Sequence, residues 1–418
     1  MKSTDFNAAH ENVQGAPMTY PVWFVRLIFA AWMIPSGLNH FIQIFPQPMG
    51  SQPLSQELII ALLDSNLFDL VKAVELIAGL GLLFGFYTSL SLLICLPVSF
   101  CVFYWDAPLE GWGSRAAIFG YSVLLCNSLL CLAYYKSYSS MFILRATVGE
   151  RKLLVLGGRL LLGAWMLLNG ANYLFFSFWS IPMGNEPLAL QLMTSLVNSR
   201  LLDVAMAIQL LTGALILAGI MVPVALCTLM PISTCALYWA LILDQQPINI
   251  IMALAVFALN GLLMLAYLSY YQGTLQRHAL AIGEEVNTRT NFDDLFVNLK
   301  NSAAKAQFIP AIIPVIAAIV FYDYLVGGGT ADYCLLFLMY PLFTLLTGRI
   351  RDMGFSPAFL LAPLALILVY FGIRLDYFSL GDTLNSVTTW SALILTAGFV
   401  LWGSIHAGNS APTTEEVA

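Results

Sequence analysis

LFDLVKAVELIAGLGLLFGFYTSLSLLICLPVSFCVFYWD, residues 67–106, decides the fold. It reads as two apolar runs joined by a tight turn near Phe86–Ser89, each close to the ~20 helical residues that cross a bilayer. The first run carries Asp69, Lys72 and Glu75; the second holds Pro97-Val98-Ser99 and ends in Tyr104-Trp105-Asp106. The same pattern returns at 201–240 as LLDVAMAIQLLTGALILAGIMVPVALCTLMPISTCALYWA. At an offset of 134, residues 48–105 share 21 identities in 58 positions with 182–239. That is too many in one register for shared hydrophobicity alone, so the chain contains a duplication. Upstream, Arg26 to Asn39 aligns with Arg159 to Asn172 at an offset of 133.

Outward from this pair, the whole chain has the same character. It is 60% hydrophobic and 10% charged over 418 residues, against about 25% charged for soluble domains. The expected class is an all-α polytopic membrane protein. Twelve spans are expected, at about 20–42, 67–85, 88–105, 115–136, 154–178, 202–219, 221–243, 248–271, 308–325, 331–347, 357–375 and 387–406. They group into two tandem parallel four-helix bundles, 20–140 and 154–272, and a third four-helix region, 308–406. A repeat with an even number of spans keeps its orientation, so the two copies are related by an axis along the membrane normal. Residues 1–19 and 407–418 read as polar tails, the first of them disordered, and 273–307 as a polar cytoplasmic linker. Residues 54–64 read as a short amphipathic helix, too short to span.

Thirteen of the 17 Lys and Arg residues fall on one side if the N-terminus is cytoplasmic. The positive-inside rule then puts both termini in the cytoplasm. A net charge of −6 offers no basic patch for nucleic acid. The seven cysteines lie inside apolar runs, without CxxC or Cys/His spacing, so no metal site is expected. There is no basic n-region and cleavage site of a removed signal peptide.

Matching residues hold a duplicated scaffold; residues that differ mark specialisation. Lys72 becomes Met206, Glu75 becomes Gln209, His40 becomes Tyr173 and Asp106 becomes Ala240. Ionisable groups inside a membrane are costly and mark function by default. Asn39, His40, Asp69, Lys72, Glu75, Tyr104 and Trp105 therefore form the candidate cleft, in the outer half of the first repeat. The structural alternatives are ion pairs that only fix helix packing, and an aromatic belt for Tyr104 and Trp105. Arg26 reads as a cytoplasmic anchor able to snorkel.

Arg26, Gly37-x-Asn39-His40 and Glu75-x-x-x-Gly79 with Gly85 resemble the DoxX family of four-helix bacterial membrane proteins, over 20–140 and more weakly over 155–272. The resemblance implies association with quinone-linked redox and thiol or oxidative-stress systems, a non-covalent quinone and a redox partner subunit. Arg349-x-Arg351-Asp352-x-Gly354-x-Ser356 resembles the signature of the domain-of-unknown-function 805 family, over about 308–406. It adds no chemistry. Arg349 and Arg351 could meet anionic headgroups of the bilayer, or Asp352 could cap its neighbours. The expected function is a multi-pass bacterial inner-membrane subunit or accessory of a redox system. The alternatives are a small-solute or lipid transporter, and a structural or assembly protein without catalytic activity.

Overall fold

The computed structural model describes residues 19–147, 152–282, 305–326, 329–375 and 382–406. Most of the expected 1–19 tail, residues 283–304 of the linker and the tail from 407 lie outside them. Fourteen α-helices are described. They are α1 (Thr19–Ile42), α2 (Pro53–Asp64), α3 (Leu67–Phe84), α4 (Thr88–Tyr104), α5 (Arg115–Ala133), α6 (Lys152–Ala171), α7 (Pro187–Asn198) and α8 (Leu201–Ala218). They continue with α9 (Val222–Tyr238), α10 (Pro247–Ala266), α11 (Lys305–Val320), α12 (Gly329–Asp352), α13 (Leu361–Arg374) and α14 (Asp382–Ile405). No strand occurs among the described residues.

Nine helical segments among the described residues are long and apolar enough to cross a membrane. They correspond to nine of the twelve expected spans. Of the other three, α3 has the length but carries Asp69, Lys72 and Glu75. The apolar helices Phe308–Asp323 and Ser391–Ile405 are shorter. The short amphipathic helix expected at 54–64 is α2, with Pro53 in its first turn, where a missing N–H costs nothing.

The described chain divides into two compact units. One holds residues through Asn39, Leu76–Phe86 and those from Leu280; the other holds His40–Glu75 and Tyr87–Ala279. In the first unit the Arg26 guanidinium is buried and donates through Nη2 to Leu82 O at 2.6 Å. A cation there satisfies a carbonyl in the last turn of α3. The snorkelling role expected of Arg26 is thus replaced by a helix-end contact. In the second unit Arg159 does the same, its Nε and Nη2 reaching Ile216 O at 3.2 and 3.1 Å. Both helices stop at a left-handed glycine, Gly85 (φ 71°) and Gly219 (φ 73°), the conformation that ends a helix cheaply only without a Cβ.

Within the second unit α6 packs on α8, α8 on α9, α9 on α10, and α10 returns to α6. Pro97 and Pro231 lie inside α4 and α9. Ser99 and Ser233 accept hydrogen bonds from Asn127 (2.9 Å) and Asn260 (3.3 Å), tying α4 to α5 and α9 to α10.

The repeats meet through α2 and α7 in the second unit, with reciprocal contacts. Tyr104 donates to Ser199 O at 2.7 Å, and its counterpart Tyr238 donates to Ser65 O at 2.8 Å. Gln191 Nε2 donates to Asp64 at 2.8 Å, and Asn198 Nδ2 donates to Glu57 at 2.7 Å. Positions 57 and 191 are equivalent, as are 64 and 198. At the other end Tyr87 N donates to Arg277 O (2.8 Å) and Met221 N to Leu144 O (3.1 Å). Each contact recurs with the copies exchanged, which is the signature of an isologous interface.

At its two polar pairs this interface sets an acid of one copy against an amide of the other. Restoring like for like should hurt. The double variant Gln191→Glu/Asn198→Asp places two carboxylates together twice. At neutral pH and low salt we expect a loss of about 1 kcal/mol, since the sites are exposed. Salt or protonation of the carboxylates should recover it. A melting temperature equal to wild type at every ionic strength would show that these pairs do not set the docking.

Candidate functional site

At the open end of α3, Asp69 accepts a hydrogen bond from His40 Nε2, 2.6 Å away. The imidazole sits edge-on to Phe68, with ring centroids 5.3 Å apart. The second repeat keeps this contact with a neutral donor: Tyr173 donates to Asp203 at 2.6 Å. One turn deeper, Lys72 Nζ and Glu75 Oε2 form an ion pair at 2.7 Å; their side chains are 7% and 0% exposed. Lys72 also lies over the Phe68 ring, 4.8 Å from its centroid. In the second repeat Met206 and Gln209 occupy these places, and Gln209 accepts from Asn169 Nδ2 at 2.8 Å.

Four of the seven expected cleft residues therefore fall into two pairs on or beside α3, all in one unit. His40 and Asp69 form the outer pair; Lys72 and Glu75 form the buried one. Asn39 is buried and belongs to the other unit. The polar ends of Tyr104 and Trp105 are engaged elsewhere. Tyr104 holds the second repeat, and Trp105 Nε1 donates to Ser55 O at 3.0 Å. Trp239 makes the equivalent contact with Ala189 O at 3.2 Å, so this one is scaffold.

In the C-terminal region, Gly348–Asp352 is the end of α12. Arg349 is fully buried, pairs with Asp352 and donates to Gly403 O (2.8 Å) and His406 O (2.5 Å). A guanidinium spent on the last turn of α14 is not available to a lipid headgroup; Arg351 remains partly exposed.

Two further acids lie at the end of α4. α4 runs on into a π-helical turn, Trp105–Leu109, which places Asp106 in the interior at 4% exposure. The equivalent turn, Trp239–Asp244, carries Ala240 there. Asp106 was readable as an acid absent from the second copy, but apolar periodicity does not reveal a π turn. Glu110, just past the turn, accepts from the backbone of Ser51 (2.8 Å) and Gln52 (3.3 Å) and from the Ser51 and Ser55 hydroxyls. A carboxylate there completes the N-terminus of α2. In the second repeat Asp244 accepts from Asn185 N at 2.9 Å.

Burial works to raise the Glu110 pKa, but the hydrogen bonds from Ser51, Ser55 and Gln52 outweigh it and hold it below the ordinary value. A carboxyl depressed on folding contributes stability above its unfolded pKa and loses it as pH falls through the folded one. Below the ordinary glutamate range, about 4.3, the Ser51 and Gln52 amides should lose protection relative to their intrinsic exchange rates. Glu110→Gln should remove that pH dependence of protection. Protection at these amides that is flat with pH in the wild type would refute it.

Among the described residues no group of three His, Cys, Asp or Glu side chains is placed to hold a metal ion. The described residues form an all-helical fold with nine helices long and apolar enough to cross a membrane, and the first repeat buries an ion pair where the second places Met206 and Gln209. No protein family matches this chain, and neither does any curated protein or solved structure.

Proposed function

We propose that this is a twelve-span inner-membrane protein with cytoplasmic termini, built as two tandem parallel four-helix bundles and a C-terminal four-helix region. It serves as a subunit or accessory of a quinone-linked redox system, with its site in the first repeat. One observation carries the placement of the site. The second repeat fills the same places without His40, Lys72 or Glu75: Tyr173–Asp203 at the mouth and Asn169–Gln209 below it. The scaffold therefore does not require Lys72 and Glu75. A buried ion pair is weak evidence for stability and is often no better than a neutral pair, so these charges are kept for what they do. The redox assignment comes from the resemblance to the DoxX family, and proton-accepting side chains beside a quinone suit its reduction and oxidation.

Solvent extraction of the purified protein followed by mass spectrometry tests this. We expect stoichiometric quinone in the wild type and none in Lys72→Met/Glu75→Gln. An absence of quinone with no co-purifying redox partner would overturn the reading. Solute flux in proteoliposomes that is lost in Glu75→Gln would assign a transporter instead. For topology, a cysteine introduced at Arg145 should label only from the cytoplasmic side; labelling from outside reverses the orientation.

A further inference from the structure

Just past α6 the second repeat carries one residue more than the first. The offset is 133 up to Asn39 and Asn172, and 134 from Pro48 and Pro182. A π-helical turn, Asn172–Phe176, absorbs the extra residue, since its hydrogen bonds close a wider ring. Ser177 ends the turn with its amide on Asn172 O at 2.7 Å. Its φ of 53° is left-handed, which a residue with a Cβ adopts only at a cost. The buried Asn172 side chain then holds the returning chain at two points. Nδ2 donates to Trp179 O at 2.9 Å, and Oδ1 accepts from Trp179 N at 3.1 Å. Inward, Leu174, Ile181 and Met183 pack on Met193, Leu202 and Met206. Outward, Phe175, Phe176, Phe178 and Trp179 are left uncovered, from 42% exposed at Trp179 to 75% at Phe178. Phe176 and Phe178 stack with ring centroids 5.1 Å apart. The first repeat has Phe-Ile-Gln-Ile-Phe at 41–45, with two aromatic residues in place of four.

We propose that this loop is an interfacial anchor. Its four aromatic side chains seat in the boundary between lipid headgroups and acyl chains, and they fix the depth of the second repeat. Three observations select lipid as the occupant. The loop follows directly on Leu153–Phe176, a segment long and apolar enough to cross a membrane, so its depth is that of a span's end. Its aromatic surface also continues an apolar stripe along α6. Leu154, Leu161, Trp165, Leu168 and Phe175 recur at steps of three, four or seven residues, hence on one helix face, and all are exposed. Finally, residues 172–185 contain no Asp, Glu, Lys, Arg or His. A loop without charge gains nothing from a charged protein surface, whereas phenylalanine and tryptophan rings partition into the membrane interface. The internal cost fits this role: a left-handed serine and a buried asparagine are spent on presenting rings that touch little of the protein. The inference rests on the chain lying in a bilayer. It does not need quinone, so an empty extraction leaves it standing.

Fluorescence quenching by brominated lipids measures the depth of an indole. The full chain is reconstituted in phosphatidylcholine vesicles whose bromines lie near the headgroup, midway along the acyl chain or at its end. The Trp179 signal is the wild type less Trp179→Phe, and the Trp165 signal the wild type less Trp165→Phe. We expect the shallowest bromines to quench Trp179 several-fold more than the deepest. Trp165 is the internal ruler: it precedes the end of α6 at Ala171 by six residues, about 9 Å of helix. It should show the opposite order. The triple variant Phe175→Ser/Phe176→Ser/Phe178→Ser changes only exposed positions, so the fold should survive. It should weaken the shallow quenching of Trp179 and leave Trp165 as it was. A Trp179 that no bromine quenches, with Trp165 still quenched, would put the loop in water or under a protein partner and overturn the proposal. So would a Trp179 profile that the triple variant does not move. If neither indole is quenched at any depth, the bilayer reading itself falls, and the anchor with it.

Discussion

Replacing Lys72 with methionine should destabilise the protein by about 3–5 kcal/mol, the usual loss when one partner of a buried ion pair is removed. The Glu75 side chain is 0% exposed and its Oε2 lies 2.7 Å from the ammonium. Without that ammonium the buried carboxylate loses its partner at 2.7 Å. Glu75→Gln alone leaves the ammonium without its acid. The side chain of Lys72 is long enough to reorient toward the helix mouth, so this loss should be smaller. The double variant Lys72→Met/Glu75→Gln should recover most of the loss, because Met206 and Gln209 already occupy the equivalent places. Chemical unfolding in detergent of the four proteins forms a double-mutant cycle. A coupling energy near zero would show that the pair is not a unit. A recovered fold with lost activity would separate what the scaffold needs from what the site does.

That experiment works because the chain carries its own control, and the control was legible. The identities from Pro48 to Trp105 set the register, and the register aligned Lys72 with Met206 and Glu75 with Gln209. Helix positions followed from apolar runs, and α2 from a run too short to span. The meaning of other differences was hidden. Glu57 against Gln191 and Asp64 against Asn198 look like drift within an alignment. They make sense only once α2 and α7 lie side by side, each acid meeting the other copy's amide. The signal was there: two acid-to-amide exchanges seven residues apart, hence on one helix face. The contacts of Tyr104 and Trp105 were hidden for a related reason. Their identity in both repeats marked them as scaffold, yet their place at the helix mouth suggested a ligand. The grouping of α1 through Asn39 with the C-terminal helices had no sequence signal, because those helices have no copy elsewhere in the chain to reveal their contacts.

The second large effect is expected at Gly213. In lipid there is little hydrophobic drive between helices, so close backbone approach through small residues carries much of the packing. A Cβ at Gly213 would run into the backbone nitrogen of Leu167 on α6 and lie 2.9 Å from Gly163 O. Gly163 and Gly170 on the same helix are equally close to α8: a Cβ at Gly170 would stand 2.7 Å from Leu210 N and from Met206 O. Backbone cannot rotate away, so Gly213→Ala should reach or exceed the upper end of the about 1–3 kcal/mol typical of overpacking, and Gly213→Leu should not fold. Gly79 is the equivalent position in the first repeat, and its situation differs. There the nearest atoms to a Cβ are Ile34 Cγ1 at 2.8 Å and Met33 Cβ at 2.9 Å, with Ile34 N at 3.2 Å. The Ile34 side chain can turn to another rotamer, and the backbone starts farther off. Gly79→Ala should therefore cost clearly less than Gly213→Ala, although the two glycines align. Equal losses, measured by unfolding in the same detergent, would mean that the two helix pairs are packed alike and that the first repeat is no looser than the second. A smaller loss at Gly79 would fit a division of labour in which the second repeat is the rigid half, and the repeat with the buried ion pair keeps more slack.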